Sequence, residues 1–388
     1  MRWSHGYLLL CLLCASLLAK HLIPLLPYAS FSWPPLHIYL ALLSYIVSLA
    51  ILGAFLPGKQ QQGTLLADGT RLKYKCNGLV VTGVVITTLA ISAYYGYIDA
   101  TWVADNHAHL FIATNVFAFV LSAYLFVKGR LCTPPNWLKQ RSMLHDFVMG
   151  CELNPFILGV DVKFFSYRPS MCGWLIVNLS FLVKQYDTLR FITGRMMLYQ
   201  ITTAWYIWDY FVHETKMVST WDIIAEHFGL MLVWGDYVFI VFGFSVQNLF
   251  LLSDTRPLSY VSVALIVGSF CVGFAIFRGA NSQKHQFKTN PKALIWGKTP
   301  ITVGGRLLAS GFWGMARHMN YSGDLLLALS FCLPCGSRSS VAYFYFIYLL
   351  LLTVHREKRD DERCSLKYKS IWDDYCRQVP YRMLPFIY

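Results

Sequence analysis

Lys284 and Lys288 stand four residues apart in Arg278-Gly-Ala-Asn-Ser-Gln-Lys284-His-Gln-Phe-Lys288. A helix would put both on one face. No Asp or Glu lies between Arg278 and Arg306. An uncompensated cationic face suits a phosphorylated cofactor. It equally suits a basic loop on the cytoplasmic side of a membrane. The following stretch, Leu307 to Asp324, gathers Trp313, Arg317, His318, Asn320, Tyr321 and Asp324 between glycines, ahead of an apolar run. An interfacial aromatic belt accounts for the Trp and Tyr. It does not account for the ionisable group, which at membrane depth points to function. The tail from His355 to Arg382 carries eight Lys or Arg and six Asp or Glu. A solvated amphipathic helix explains its charges. Lys367, Tyr368, Trp372 and Tyr375 at helical intervals could also stack on an adenine and pair with a phosphate. Upstream, Tyr206 and Asp209 lie in an apolar run that ends at His213-Glu214. A phenol beside carboxylates can donate a proton, although a lone buried Tyr also serves packing.

Other chemistries lack their motifs. No GxGxxG follows a strand, no P-loop is present and no HExxH or paired HxxxH occurs. A soluble dinucleotide domain is excluded, so any nucleotide must be held by membrane helices and loops. The eleven cysteines show no metal spacing. Cys332-Leu-Pro-Cys335 lies in an apolar segment and reads as packing rather than redox chemistry.

The elements that must position these residues are membrane helices. Of 388 residues, 56% are hydrophobic and only 14% charged; mean hydropathy is +0.46. Soluble chains carry about 25% charged residues. The apolar runs are continuous rather than alternating, which excludes a membrane β-barrel. The reading is an all-α polytopic protein of about ten spans, since about 20 helical residues cross the hydrocarbon core. Clear spans are 7–26, 36–56, 79–98, 109–127, 191–212, 229–252 and 259–277. Shorter ones are 171–183, 325–335 and 343–354. The first reads as an uncleaved anchor rather than a signal peptide. Residues 1–170 form an N-terminal transmembrane part, and residues 171–388 a C-terminal part with the cofactor pocket. The net charge of +13 reflects basic loops at 58–77, 128–169 and 278–306, not nucleic-acid binding. Ten spans put these loops and both termini on the cytoplasmic side.

The same residues resemble the sterol reductase family: sterol C14 reductases, 7-dehydrocholesterol reductases, fungal C24(28) reductases and the lamin B receptor membrane domain. The elements carrying the resemblance run in order from Leu56 to Tyr388. They include Leu66-Ala-Asp68-Gly69-Thr-Arg71, Glu152-Leu-Asn-Pro155, Asp161-Val-Lys163, Arg168-Pro169, Asn281-Ser-Gln-Lys284, Arg317-His-Met-Asn320-Tyr321, Arg359-Asp360 and Val379-Pro380-Tyr381-Arg382. The resemblance implies NADPH-dependent reduction of a ring double bond in a sterol taken from the bilayer. It matches Lys284 and Lys288 with phosphate-side cations, Leu308 and Trp313 with the flanks of the nicotinamide half, and Asn320-Tyr321 with the polar pair beside it. Asp360, Cys364, Ser365, Leu366, Lys367, Tyr368 and Tyr375 match the segment that closes over the cofactor. Tyr206 matches the proton donor, and Asp360 would help orient the nicotinamide. No metal is implied.

The chain departs from the family at three places. Phe156 follows Glu-Leu-Asn-Pro where Arg is usual, Ala225 replaces a His, and Ser170 replaces the Gly of Arg-Pro-Gly. Subtype features are mixed, with Asp68-Gly-Thr-Arg71 and Pro385-Phe-Ile-Tyr388 favouring C14 reduction. Trp234-Gly-Asp236 and Gly311-Phe-Trp-Gly resemble 7-dehydrocholesterol reductases. Two rivals share parts of the pattern: a membrane methyltransferase using S-adenosylmethionine, and a non-enzymic sterol receptor. The expected membrane is the endoplasmic reticulum in a eukaryote and the inner membrane in a bacterium.

Overall fold

The computed structural model describes residues 32–65, 69, 71–132, 142–337 and 339–388. The expected first span, residues 7–26, and the motif residues 66–68 lie outside the described residues. The chain is predominantly helical and divides between Asp254 and Thr255 into two compact units.

In the first unit, helix α1 (Leu36–Phe55) leads into an antiparallel hairpin, β1 (Lys59–Leu65) and β2 (Arg71–Cys76), then α2 (Gly78–Tyr94) and α3 (His107–Cys132). Leu36, Leu40, Leu43, Val47 and Ile51 of α1 are exposed at helical spacing. Such a stripe is stable facing lipid and costly facing water. A two-residue-stranded hairpin, β3 (Phe156–Ile157) and β4 (Val160–Asp161), precedes α4 (Val162–Leu189). The Asp161 carboxylate caps α4 by accepting from the Phe164 N–H at 3.0 Å. Thr193 caps α5 (Gly194–Val212) in the same way. The α6 segment (Leu230–Leu251) opens into a π-helix over Gly235–Gly243, where the Phe244 N–H donates to the Phe239 carbonyl. Among the described residues, α1, α3, α6 and Tyr260–Thr289 are long and apolar enough to cross a membrane, and α2 is a shorter apolar helix.

Lys163 shows how the polar loops are held. It is fully buried, and its ammonium donates to the carbonyls of Asp222, Ile223 and Glu226 at 2.8, 2.9 and 2.9 Å. One cation thus satisfies three carbonyls of the 222–226 segment, which carries Ala225. Lys163→Met keeps the stem and orphans all three acceptors. It is expected to destabilise the protein by roughly 3 kcal/mol or more, measured by thermal unfolding in detergent.

In the second unit, α7 (Tyr260–Thr289) is capped by Ser259 and runs three turns past the expected span end at Phe277. A short hairpin follows, β5 (Thr302–Val303) and β6 (Leu307–Leu308). Then come α8 (Phe312–Met315), α9 (Met319–Cys332), α10 (Phe344–Tyr368) and α11 (Ser370–Gln378). The sequence suggests a short span and a separate charged tail; the structure joins both in α10. Helices α7 and α9 pack closely, because a Cβ on Gly273 or Gly323 would meet the other helix's backbone within 3.0 Å.

Candidate functional site

The polar cluster of the second unit is built on the extension of α7. Lys284 and Lys288 lie on this helix one turn apart. Gln283 and Ala280 pin the next segment to it. The Gln283 amide oxygen accepts from the Phe312 N–H at 2.9 Å, and the Trp313 indole N–H donates to the Ala280 carbonyl at 2.7 Å. Two glycines permit this approach. Gly311 has φ +63°, and a Cβ there would meet the Gln283 amide at 2.4 Å; a Cβ on Gly279 would meet the Phe312 ring at 2.3 Å. The result seats the Lys284 ammonium 4.3 Å from the Trp313 ring centroid. Leu308 and Trp313 are buried together with Ala280, Met319 and Phe287. The Tyr375 hydroxyl donates to the Trp313 carbonyl at 3.3 Å. Tyr375 also packs with Trp372, Cys364 and Tyr368.

Helix α10 brings the acidic side. Asp360 and Cys364 are one turn apart, and both act electrostatically on Lys284. Burial raises the Asp360 carboxyl above its ordinary range, while Lys284 pulls it back. Burial pushes the Cys364 thiol up to about 11, so it is a neutral thiol at pH 7. Asp360 Oδ2 lies 3.9 Å from His318 Nε2. Burial, with Lys284, Arg317 and Arg382 nearby, pushes His318 down to about 3. Its imidazole is therefore neutral at pH 7 and stacks on Tyr321 at 5.0 Å. Ser365, Leu366 and Lys367 are exposed, whereas Asp360, Cys364 and Tyr368 recur every four residues on the more covered face.

Among the described residues, three buried polar atoms of the 317–320 segment have no hydrogen-bond partner: Arg317 Nε, His318 Nε2 and Asn320 Oδ1. Buried polar groups are normally satisfied. A ligand carrying an amide and hydroxyls would satisfy them, and the two lysines supply the charge for a phosphate. The residues present thus fit a phosphorylated nicotinamide cofactor. Arg317 and His318 stand in the polar stretch noted in the sequence but carry no assigned role there; their orphaned atoms are visible only in the fold. Their main-chain N–H groups donate to the carbonyls of Tyr381 and Arg382. Arg382 in turn pairs with the buried Glu357 at 3.1 Å. That pairing spans 25 residues and leaves no local sequence signal.

A model described as the ergosterol biosynthesis ERG4/ERG24 family matches residues 15–388. The chain belongs to this family. Among its relatives, a Delta(14)-sterol reductase of Arabidopsis thaliana is 48% identical over 359 residues, 92% of this chain and 97% of that one. A Delta(14)-sterol reductase of Methylotuvimicrobium alcaliphilum is 39% identical, covering 92% of this chain and 84% of that one. A 7-dehydrocholesterol reductase of Danio rerio is 35% identical, covering 92% and 80%. Membership makes the protein a sterol reductase and a membrane protein.

Tyr206, which the resemblance would make the proton donor, belongs to the first unit. It sits mid-way along α5, half-buried, with its ring 6.0 Å from that of the buried Trp174. A polar network joins the same helix to α4: Tyr199 donates to Asn178 Oδ1 at 3.1 Å, and the Asn178 amide donates to Thr203 at 3.0 Å. About one turn beyond Tyr206, Asp209 pairs with His213 at the helix end at 3.2 Å. The family departures are accommodated. Ser170 is buried, with its hydroxyl on the Ser166 carbonyl. Phe156 stands partly exposed on β3.

Proposed function

We propose that the protein reduces the C14=C15 double bond of a sterol, with NADPH as hydride donor. The observation that carries this reading is the 48% identity to a Delta(14)-sterol reductase over nearly that relative's whole length. Reduction of the C7 double bond is the second reading, supported by the 35% identity to a 7-dehydrocholesterol reductase. An isolated alkene is a poor hydride acceptor, so it must first be made electrophilic. Tyr206 would protonate one alkene carbon, and NADPH supplies the hydride that closes the other. Lys284 and Lys288 would hold the phosphates. Leu308, Trp313, Asn320 and Tyr321 would flank the nicotinamide half. Asp360 would orient it, and Cys364, Ser365, Leu366, Lys367, Tyr368 and Tyr375 would close over the cofactor. The protein's part is to position the groups and keep water from the cation. The 1–170 part would carry supporting helices and the 171–388 part the chemistry. Both termini would face the cytoplasm, in the endoplasmic reticulum of a eukaryote or the inner membrane of a bacterium.

Purified membranes incubated with NADPH and sterols unsaturated at C14, C7 or C24(28) test the reading. The expected result is reduction of the C14 sterol at least about tenfold faster than either competitor, a discrimination of about 1.4 kcal/mol. A preference for the C7 sterol would establish the second reading.

A further inference from the structure

Residues 381–388 close on themselves. The Tyr388 main-chain oxygen accepts from the N–H groups of Arg382, Met383 and Leu384 at 2.8, 3.0 and 3.1 Å, and the Tyr388 N–H donates to the Leu384 carbonyl at 2.9 Å. Three donors converging on one oxygen form a backbone nest, which shapes the loop without help from side chains. The loop is bonded outward to two helices of the second unit. On the α9 side, the Tyr381 and Arg382 carbonyls accept from the main-chain N–H groups of Arg317 and His318 at 3.0 and 2.8 Å. The Met383 carbonyl accepts from the Ser322 hydroxyl at 2.5 Å. On the α10 side, Glu357 Oε2 accepts from the Arg382 guanidinium at 3.1 Å and from the Tyr388 hydroxyl at 3.3 Å. The Arg382 guanidinium also lies 5.9 Å from the Tyr388 ring centroid. Glu357 is fully buried. A buried carboxylate left without its partner is strongly destabilising, so both donors are tied to it.

The loop therefore brackets the two segments that carry the polar cluster. Arg317 and His318 lead into α9, and Asp360 follows Glu357 by three residues on α10. His318 is held at both ends: its N–H is bonded to the loop, and its Nε2 faces Asp360 at 3.9 Å. We propose that Tyr388 and Glu357 are positioning residues for the cofactor. Through Arg382 they fix the start of α9 relative to Asp360 on α10, and so set the affinity for NADPH without touching it. The inference rests on the NADPH reading above. Binding groups held in place before the ligand arrives lose less freedom when it binds. Loosening the loop frees Arg317 and His318, and the effect falls on cofactor affinity rather than on the chemical step.

The test is calorimetric NADPH binding to the purified protein, read beside kcat, the sterol KM and thermal unfolding. Glu357→Gln keeps the shape and removes the charge that pairs with Arg382. Tyr388→Ala removes the hydroxyl and the ring beside Arg382, whereas Tyr388→Phe loses only the hydroxyl bond. Glu357→Gln and Tyr388→Ala are expected to raise the NADPH dissociation constant about tenfold, and Tyr388→Phe about threefold or less, with kcat at saturating NADPH and the sterol KM within about twofold. A tail that only stabilises the fold gives a different result. Unfolding temperature and active fraction then fall, while the folded molecules bind NADPH as before. That result would overturn the positioning role, as would a loss of kcat at saturation larger than the rise in the dissociation constant. If Tyr388→Ala does not fold, Glu357→Gln and Tyr388→Phe decide the question. If the unchanged enzyme binds no NADPH, the cofactor reading itself fails. If it binds NADPH and every variant binds it equally well, only the positioning role fails.

Discussion

Tyr206→Phe is expected to lower sterol turnover by at least about 10²-fold while leaving NADPH binding nearly intact. General acid catalysis contributes about 10²–10⁴-fold. The substitution removes the acidic hydroxyl and keeps the ring that packs near Trp174. A tyrosine held for packing would tolerate Phe with little kinetic change. Measuring kcat and cofactor binding on the same folded variant distinguishes the two. Near-normal turnover would move the proton to Asp209 or His213, titratable side chains further along the chain at the end of α5.

The double change Lys284→Ala and Lys288→Ala is expected to raise the NADPH concentration needed for half-maximal rate by roughly 10²-fold. Two charge-assisted contacts at about 1.5 kcal/mol each give that factor. The NADH requirement should change far less, because NADH lacks the 2′-phosphate. The Trp313 ring under Lys284 is held by its own bond to Ala280, so the ring stays in place when the ammonium is removed. Equal effects on both cofactors would show that the lysines do not read the phosphate.

What was legible in the sequence was whatever rests on local pattern. Continuous apolar runs mark α1, α3 and α7, which are largely exposed as helices facing lipid must be, and α6, which is largely buried; either setting calls for an unbroken apolar surface. The four-residue spacing of Lys284 and Lys288 is a real helical spacing, since α7 continues to Thr289. Interruptions were harder to place. Polar residues from His355 onward read as the end of a span, yet α10 passes through them without a break. Its inner side is neutralised from a distance, by Arg382 on Glu357. The π-helix of α6 left no sequence mark either. The orphaned atoms of Arg317, His318 and Asn320 depend on how the Tyr381–Arg382 segment docks, which no residue spacing encodes.

The unbroken course of α10 also ties the polar cluster to bilayer thickness. Phe344 to Val354 is its apolar length, and Asp360 follows Val354 by six residues, about 9 Å along the axis. A helix without a hinge transmits displacement along its length. Hydrophobic mismatch that sinks or tilts the apolar end must therefore shift Asp360 and Cys364 relative to Lys284 on α7. Since sterol content sets bilayer thickness, the sterol content of the surrounding membrane bears mechanically on the Asp360–Cys364–Lys284 cluster.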